Sequence, residues 1–204
     1  LRTNTDKITH HAYHRYYPRF LEHHRSIAAG YAMLEIGTFN YQSIHMWMSY
    51  FSSAYVYGMD LSSEFSGDRR RIFRADQRNI ESISAAASRI VHPVFFIIDD
   101  GSHLPDHQLS SFDYLFNEVL IPGGIYIVED IETSYWTKNS LYGNPTQYGY
   151  HHARSAVEHF KMLVDDVNYE FLTSENRIEQ EKLVGRSISS ETRKKIQTQI
   201  KRRK

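Results

Sequence analysis

The sequence predicts an α/β fold, a doubly wound, mostly parallel sheet with helices on both faces. Three observations predict it. Short apolar runs alternate with stretches of helical periodicity through the first 130 residues, the pattern of strand–helix–strand units joined by right-handed crossovers. Runs such as "MLEI" and "FFII" are continuous rather than alternating, as strands buried on both faces require. Each run closes on Gly or on an acidic residue, which marks where strands stop and turns begin.

The elements follow in order. A helix is expected after Pro18, running toward Ile27, with Phe20, Leu21 and His24 on adjacent faces and Gly30 ending it. "YAMLEIGTF" reads as the first strand. Residues 41–51 place Ile44, Met48 and Phe51 at helical spacing. "AYVYGMD" (54–60) and "RRIFRAD" (70–76) read as the second and third strands, and the Ala/Ser-rich 79–90 as a helix. "PVFFIIDD" (93–100) is the fourth strand. Pro105 opens a helix to about residue 120, broken by "IPGG", and "GIYIVED" (124–130) is the fifth strand. Residues 131–150 are polar and turn-rich and read as a long loop. A helix is expected over 151–166, and "YEFLT" is a candidate sixth strand. Residues 1–190 are read as one domain and the strongly basic 191–204 as a tail or linker. No internal repeat is visible.

Composition narrows the function. The chain has 204 residues, enough for a sizeable core, and equal numbers of acidic and basic residues, 24 each, so no global basic field attracts nucleic acid. There is no Cys, which removes disulfides, thiolate–zinc sites and thiol nucleophiles. That suits a reducing, cytoplasmic setting. No apolar run approaches the roughly 20 residues of a membrane span, and the polar, His-rich start does not resemble a signal peptide. The opening on Leu1 suggests a processed product or, in preference, one domain of a longer multidomain chain; a homo-oligomer is compatible with the sequence. The 12 His and 28 aromatic residues (15 Tyr, 11 Phe, 2 Trp) read mostly as core and surface, with some available to line a site for a polar ring.

In an open parallel sheet, ligands bind beyond the carboxyl ends of the strands. The predicted ends are Glu35-Ile36-Gly37-Thr38, Asp60, Asp76-Gln77, Asp99-Asp100 followed by His103, and Glu129-Asp130. Helix capping would account for any one of them, Asp76 above all; it accounts poorly for five strands together. A lone Gly37 is a weak signal, but Asp60 lies 23 residues beyond it, near the spacing at which a second-strand acid grips ribose hydroxyls. Without a triple-Gly fingerprint, a nucleoside lacking a pyrophosphate is favoured, and S-adenosylmethionine is such a ligand.

Side chains alternate along a strand, so Asp99 and Asp100 face opposite ways, as do Glu129 and Asp130. Carboxylates gathered at one rim repel unless one is protonated or a cation joins them. Mg²⁺, which prefers oxygen ligands, answers that need. His103, in the turn after Asp100, can serve as a general base. The alternative is Zn²⁺ on His103 and His107; the pair has helix-face spacing but lacks the metalloprotease signature.

"MLEIGTFNYQS", "RADQ", "IIDDGSHLPDHQ" and "PGGIYIVEDIETSYW" resemble the metal-dependent sugar O-methyltransferases of the mycinamicin and macrocin type, members of the class I S-adenosylmethionine-dependent methyltransferases with a Rossmann-like methyltransferase sheet. "TDK" (5–7) resembles a family segment that helps close over the cofactor. The resemblance covers about residues 4–137, and "DDGSH" with "VED" some 30 residues on is its most specific part. It implies that Asp100, Glu129 and Asp130 hold Mg²⁺, that His103 is the base, and that Glu35, Gly37, Asp60, Asp76 and Gln77 line the S-adenosylmethionine site. It implies too that Tyr135 and Trp136 lie near a sugar substrate, a 6-deoxyhexose such as rhamnose on a glycan or glycoside. The antiparallel pair with which family members close the sheet is not recognised after residue 170. Two rival readings are a nucleotide-sugar oxidoreductase, which would want a fuller Gly motif and a Tyr-x-x-x-Lys pair, and a non-catalytic binding module on the same fold.

Overall fold

The computed structural model describes residues 3–26, 28–137, 148–184 and 190–201. The chain forms two compact units: Leu1–Gly101 with Val119–Ile127, and Ser102–Glu118 with Val128–Lys204.

The first unit holds the sheet. Strands β1 (Ala32–Ile36), β2 (Tyr55–Asp60), β3 (Phe65–Ser66), β4 (Arg70–Arg74), β5 (Val94–Asp99) and β6 (Leu120–Val128) lie in the order β3-β4-β2-β1-β5-β6. β1 pairs in parallel with β2 and β5, and β2 with β4; β3 is antiparallel to β4. All five residues of β1 and all six of β5 are buried, which is why these segments read as unbroken apolar runs. The chain moves outward from β1 to β2 through α3 (Gln42–Tyr50) and returns from β4 to β5 through α4 (Ile80–Ala87). Right-handed crossovers in opposite directions place these helices on opposite faces, so the sheet is doubly wound. It is the Rossmann-like arrangement expected from the sequence.

Alternation along the strands divides the core. Met33, Val56, Ile72, Phe96 and Ile98 join Tyr17 and Leu21 of α2 (Tyr17–Arg25) and Ile44, Trp47 and Phe51 from α3 and its end in one apolar cluster. Trp47 stacks on Phe51 at 6.1 Å and meets Phe96 edge-on at 5.3 Å. Leu34, Ile36, Tyr57, Met59, Phe73 and Ile97, buried as well, point to the other face.

Several boundaries differ from expectation. α2 ends at Arg25, and Ile27 lies outside the described residues. "IPGG" does not precede the last strand; it lies inside β6, which starts at Leu120. β6 ends the strand order, where a residue without an N–H, Pro122, is tolerated. Gly124 is needed because a Cβ there would come within 2.8 Å of the Phe95 carbonyl oxygen. β3 went unforeseen because two residues leave no periodicity. "YEFLT" is no strand: Tyr169–Phe171 form one 3₁₀ turn, with Phe171 exposed. Among the described residues no strand follows β6.

The second unit is helical. α5 (Pro105–Glu118) begins at its proline as expected; then come a 3₁₀ turn at Ile131–Tyr135, α6 (Ala156–Val167), α7 (Ser174–Val184) and α8 (Ser190–Lys201). The loop expected over 131–150 thus opens with ordered structure, while 138–147 lie outside the described residues. α6 starts five residues later than expected because Ser155 caps it, accepting from the Glu158 N–H at 3.2 Å. Phe112 of α5 meets Phe160 of α6 edge-on at 5.3 Å.

The stretch read as a basic tail or linker is helical through Lys201 and docks on α5. Buried Thr192 donates to Asp113 and accepts from Asn117. The Lys195 ammonium donates to the carbonyls of Phe116 and, at 2.7 Å, Asn117, satisfying the last turn of α5. Among the described residues no helix is long and apolar enough to cross a membrane. Thr192→Ala strips a partner from two part-buried polar groups and is expected to cost about 1–2 kcal/mol, read as a lower urea midpoint with an unchanged slope.

Candidate active site

The turn after β1 is set by close approach. Gly37 has φ +82°, and a Cβ there would fall 2.0 Å from the Asp100 carbonyl oxygen, so only glycine fits. Main-chain bonds from Gly37 N–H to Met59 O (2.8 Å) and from Asp100 N–H to Ile36 O (3.0 Å) knit the ends of β2, β1 and β5 together. Asp60 anchors the same turn. Its Oδ2 accepts from the Thr38 and Phe39 N–H groups (3.1 and 2.9 Å) and the Thr38 hydroxyl, and its Oδ1 from the Ser62 N–H and hydroxyl (2.9 and 3.0 Å). Burial pushes the Asp60 carboxyl up, but the bonds from Ser62, Phe39 and Thr38 outweigh it and hold the pKa below its ordinary value. A ribose placed here would have to exchange with some of these five donors.

Asp76 and Gln77 do different work. Asp76 faces Arg78, whose guanidinium grips it at 2.8–3.1 Å near the surface. Gln77 is buried and its amide donates to both oxygens of Asp99, at 2.9 and 2.8 Å. Asp99 and Asp100 part as alternation requires. Asp99 turns to Gln77 and the Gly101 N–H (3.2 Å), and burial raises its pKa to about 7. Asp100 turns to the other face, where its Oδ2 accepts from the ammonium of Lys7.

Lys7 also lies 3.5 Å from Glu35 Oε1. Lys7 and Glu35 are sealed, at 1% and 0% side-chain exposure, whereas Asp100 keeps 18%. Glu35 further accepts from the Ser43 hydroxyl (2.8 Å) and the Trp47 indole (3.4 Å) of α3. Burial raises its pKa to about 7 against the pull of Lys7. Lys7 was missed as a site residue because its partner is 93 residues away and no spacing reports that; "TDK" was its only trace.

In the second unit, His103 and Asp130 are neighbours, with Nε2 4.0 Å from Oδ2. Both are buried and both have left-handed backbones, φ +57° and +51°, a strain that clusters at functional positions. The Thr133 hydroxyl donates to the His103 carbonyl at 2.5 Å and pins that turn. Glu129 is buried and its carbonyl accepts from the Gln108 amide at 3.1 Å. His107 is tied elsewhere, its Nδ1 2.8 Å from the Ser102 hydroxyl. Tyr135 is half exposed and stacks with Tyr150 at 6.1 Å; Trp136 follows it, half-buried.

The doubly wound, mostly parallel sheet matches the Rossmann-like methyltransferase fold. No family model matches the chain. It is 34% identical over 179 residues to the 8-demethyl-8-alpha-L-rhamnosyl tetracenomycin-C 2'-O-methyltransferase of Streptomyces olivaceus, covering 83% of this chain and 44% of that protein. It is 32% identical over 152 residues to the mycinamicin VI 2''-O-methyltransferase of Micromonospora griseorubida, covering 70% and 37%. Among solved structures, it resembles the MycE methyltransferase of the mycinamycin biosynthetic pathway in complex with Mg, SAH and mycinamycin VI. The TM-score is 0.56 at 26% identity, over 85% of this chain and 41% of that one. Over most of its own length the chain is thus homologous to sugar O-methyltransferases. It spans about two fifths of the length of the relatives it matches.

Asp60 offers a pH test of the strand-end turn. Its folded pKa lies below the ordinary 3.8, so its contribution is present above that value and lost as pH falls through the folded pKa. Asp60→Asn is expected to lose about 1–2 kcal/mol at pH 7, discounted for partial exposure. The gap to the parent should narrow below pH 4, as read by thermal melts across pH.

Proposed function

We propose that this chain carries the S-adenosylmethionine-dependent, Mg²⁺-assisted O-methylation of a sugar hydroxyl, on a 6-deoxyhexose such as rhamnose borne by a glycan or glycoside. One observation carries the reading: a chain whose own carboxylates and His103 lie at strand ends and the turns after them is similar to relatives named for methylating a rhamnosyl tetracenomycin and mycinamicin VI. The solved relative in complex with Mg and SAH supports both cofactors.

The donor set suits a hard cation. Asp100, just after β5, and Asp130, just after β6, offer carboxylate oxygens, and oxygen-rich sites favour Mg²⁺ over Zn²⁺. Glu129, the remaining ligand implied by resemblance, stays in the proposed set. When bound, the ion supplies Lewis-acid chemistry, lowering the pKa of a sugar hydroxyl. The sugar oxygen forms a bond to the sulfonium methyl carbon, the carbon–sulfur bond breaks with its electron pair left on sulfur, and His103 Nε2 accepts the hydroxyl proton. Asp130, 4.0 Å from that nitrogen, stabilises the resulting imidazolium. Glu35, Gly37, Asp60, Asp76 and Gln77 are proposed to shape the S-adenosylmethionine site, Asp60 by its anchored turn and Gln77 through Asp99. Tyr135 and Trp136 offer apolar ring faces to the pyranose.

Mass spectrometry of rhamnose-bearing glycosides incubated with protein, S-adenosylmethionine and Mg²⁺ tests the reading. One methyl gain is expected, abolished by chelator and restored by Mg²⁺; methylation at full rate in excess chelator removes the ion from the mechanism.

The two histidines separate by single-turnover kinetics. His103→Ala is expected to slow methyl transfer about 10²–10⁴-fold with unchanged S-adenosylmethionine binding. His107→Ala, which removes a side chain bonded to Ser102, should cost less. A slower His107→Ala enzyme would reverse the assignment.

A further inference from the structure

Lys7 is the buried cation that the proposed chemistry leaves unused. Its side chain is 1% exposed, and a lysine so deeply enclosed requires anionic partners. They include Asp100 and Glu35, both in the same unit. The backbone around it is ordered to present it. Asp6–Thr9 form one helical turn whose first carbonyl, that of buried Thr5, accepts from the Ile8 and Thr9 N–H groups, both at 3.0 Å. Asp6 Oδ1 accepts the Lys7 N–H at 2.9 Å.

We propose that Lys7 is a resident counter-cation of the divalent-ion site, a positioning residue that acts through Asp100, so that Mg²⁺ gains the Asp100 carboxylate only in competition with the Lys7 ammonium. The inference rests on the reading of Asp100 as an ion ligand. Its physical basis is the distribution of charge and access. Two carboxylates share one ammonium, and Glu35 is closed off by Ser43 and Trp47. Asp100 alone keeps a solvent-facing side, so an incoming ion meets Asp100 first and finds one of its oxygens engaged in a charge-assisted bond. An oxygen so engaged is a weaker ligand, and the ammonium repels a second cation at short range. The pair therefore keeps affinity for Mg²⁺ alone low, and leaves firm binding to the moment when sugar hydroxyls add their own oxygens.

Calorimetric titration of the full chain with Mg²⁺ alone, without cofactor or sugar, tests this. Lys7→Met is expected to bind Mg²⁺ at least about ten-fold more tightly than the parent, and Lys7→Arg, which keeps the charge, to stay as weak as the parent. Because Lys7→Met takes the ammonium from the buried Glu35 carboxylate, the double variant Lys7→Met/Glu35→Gln carries the test if the single one fails to fold. It has the parent's net charge in this trio but frees Asp100, so tighter binding by it assigns the effect to competition rather than to net charge. Unchanged or weaker binding by the variants, with measurable binding by the parent, overturns the role of Lys7 and leaves the metal reading standing. No Mg²⁺ binding by the parent or by any variant overturns both.

Discussion

The strand order creates an electrostatic problem that much of the local structure answers. β1 and β5 are parallel neighbours with Ile36 opposite Asp99, so Glu35 and Asp100 project from the same face of adjacent strands. Two carboxylates so placed, one wholly buried, are unstable without a cation. Lys7 supplies it, and this one contact ties residues near the start of the chain to the centre of the sheet. Trp47 and Ser43 complete the enclosure of Glu35, so the first turn of the chain, the strand β1 and the helix α3 meet at one buried carboxylate.

The opposite face answers the matching problem mainly through an amide. Asp99 is buried with the Gln77 amide along both its oxygens, and its pKa rises to about 7 because burial outweighs these hydrogen bonds and the pull of Lys7. Adjacent residues thus meet different fates, Asp100 paired and accessible, Asp99 screened and sealed. A residue pair that looks redundant in the sequence divides into one group able to meet a ligand and one that fixes the floor beneath it.

Much of this was readable from residue order alone. Continuous apolar runs identified the buried strands, and alternation separated Asp99 from Asp100, because both depend on local periodicity. The position of Gly37 was readable too, but its reason was not: the atom that excludes a side chain belongs to Asp100, far along the chain. Lys7 was hidden for the same cause. The path of β6 through Pro122 depends on its place at the sheet edge, and the docking of α8 on a few polar contacts to α5 that a basic composition conceals. "YEFLT" misled because its aromatic and β-branched residues suit a strand, while its position directly after α6 and the exposure of Phe171 do not.

The turns that carry His103 and Asp130 show how such a site is kept ready. Left-handed backbone at a non-glycine residue costs free energy, and here two such residues occur with their side chains 4.0 Å apart. Gly101 and Ser102 alone separate His103 from Asp100 in the chain. The Thr133 hydroxyl holds the His103 carbonyl, and Ser102 bonds His107. Each candidate group is therefore held by protein atoms that belong to no ligand. Positions set in advance need no reorganisation when charge develops, and that is where an enzyme gains most of its advantage over water.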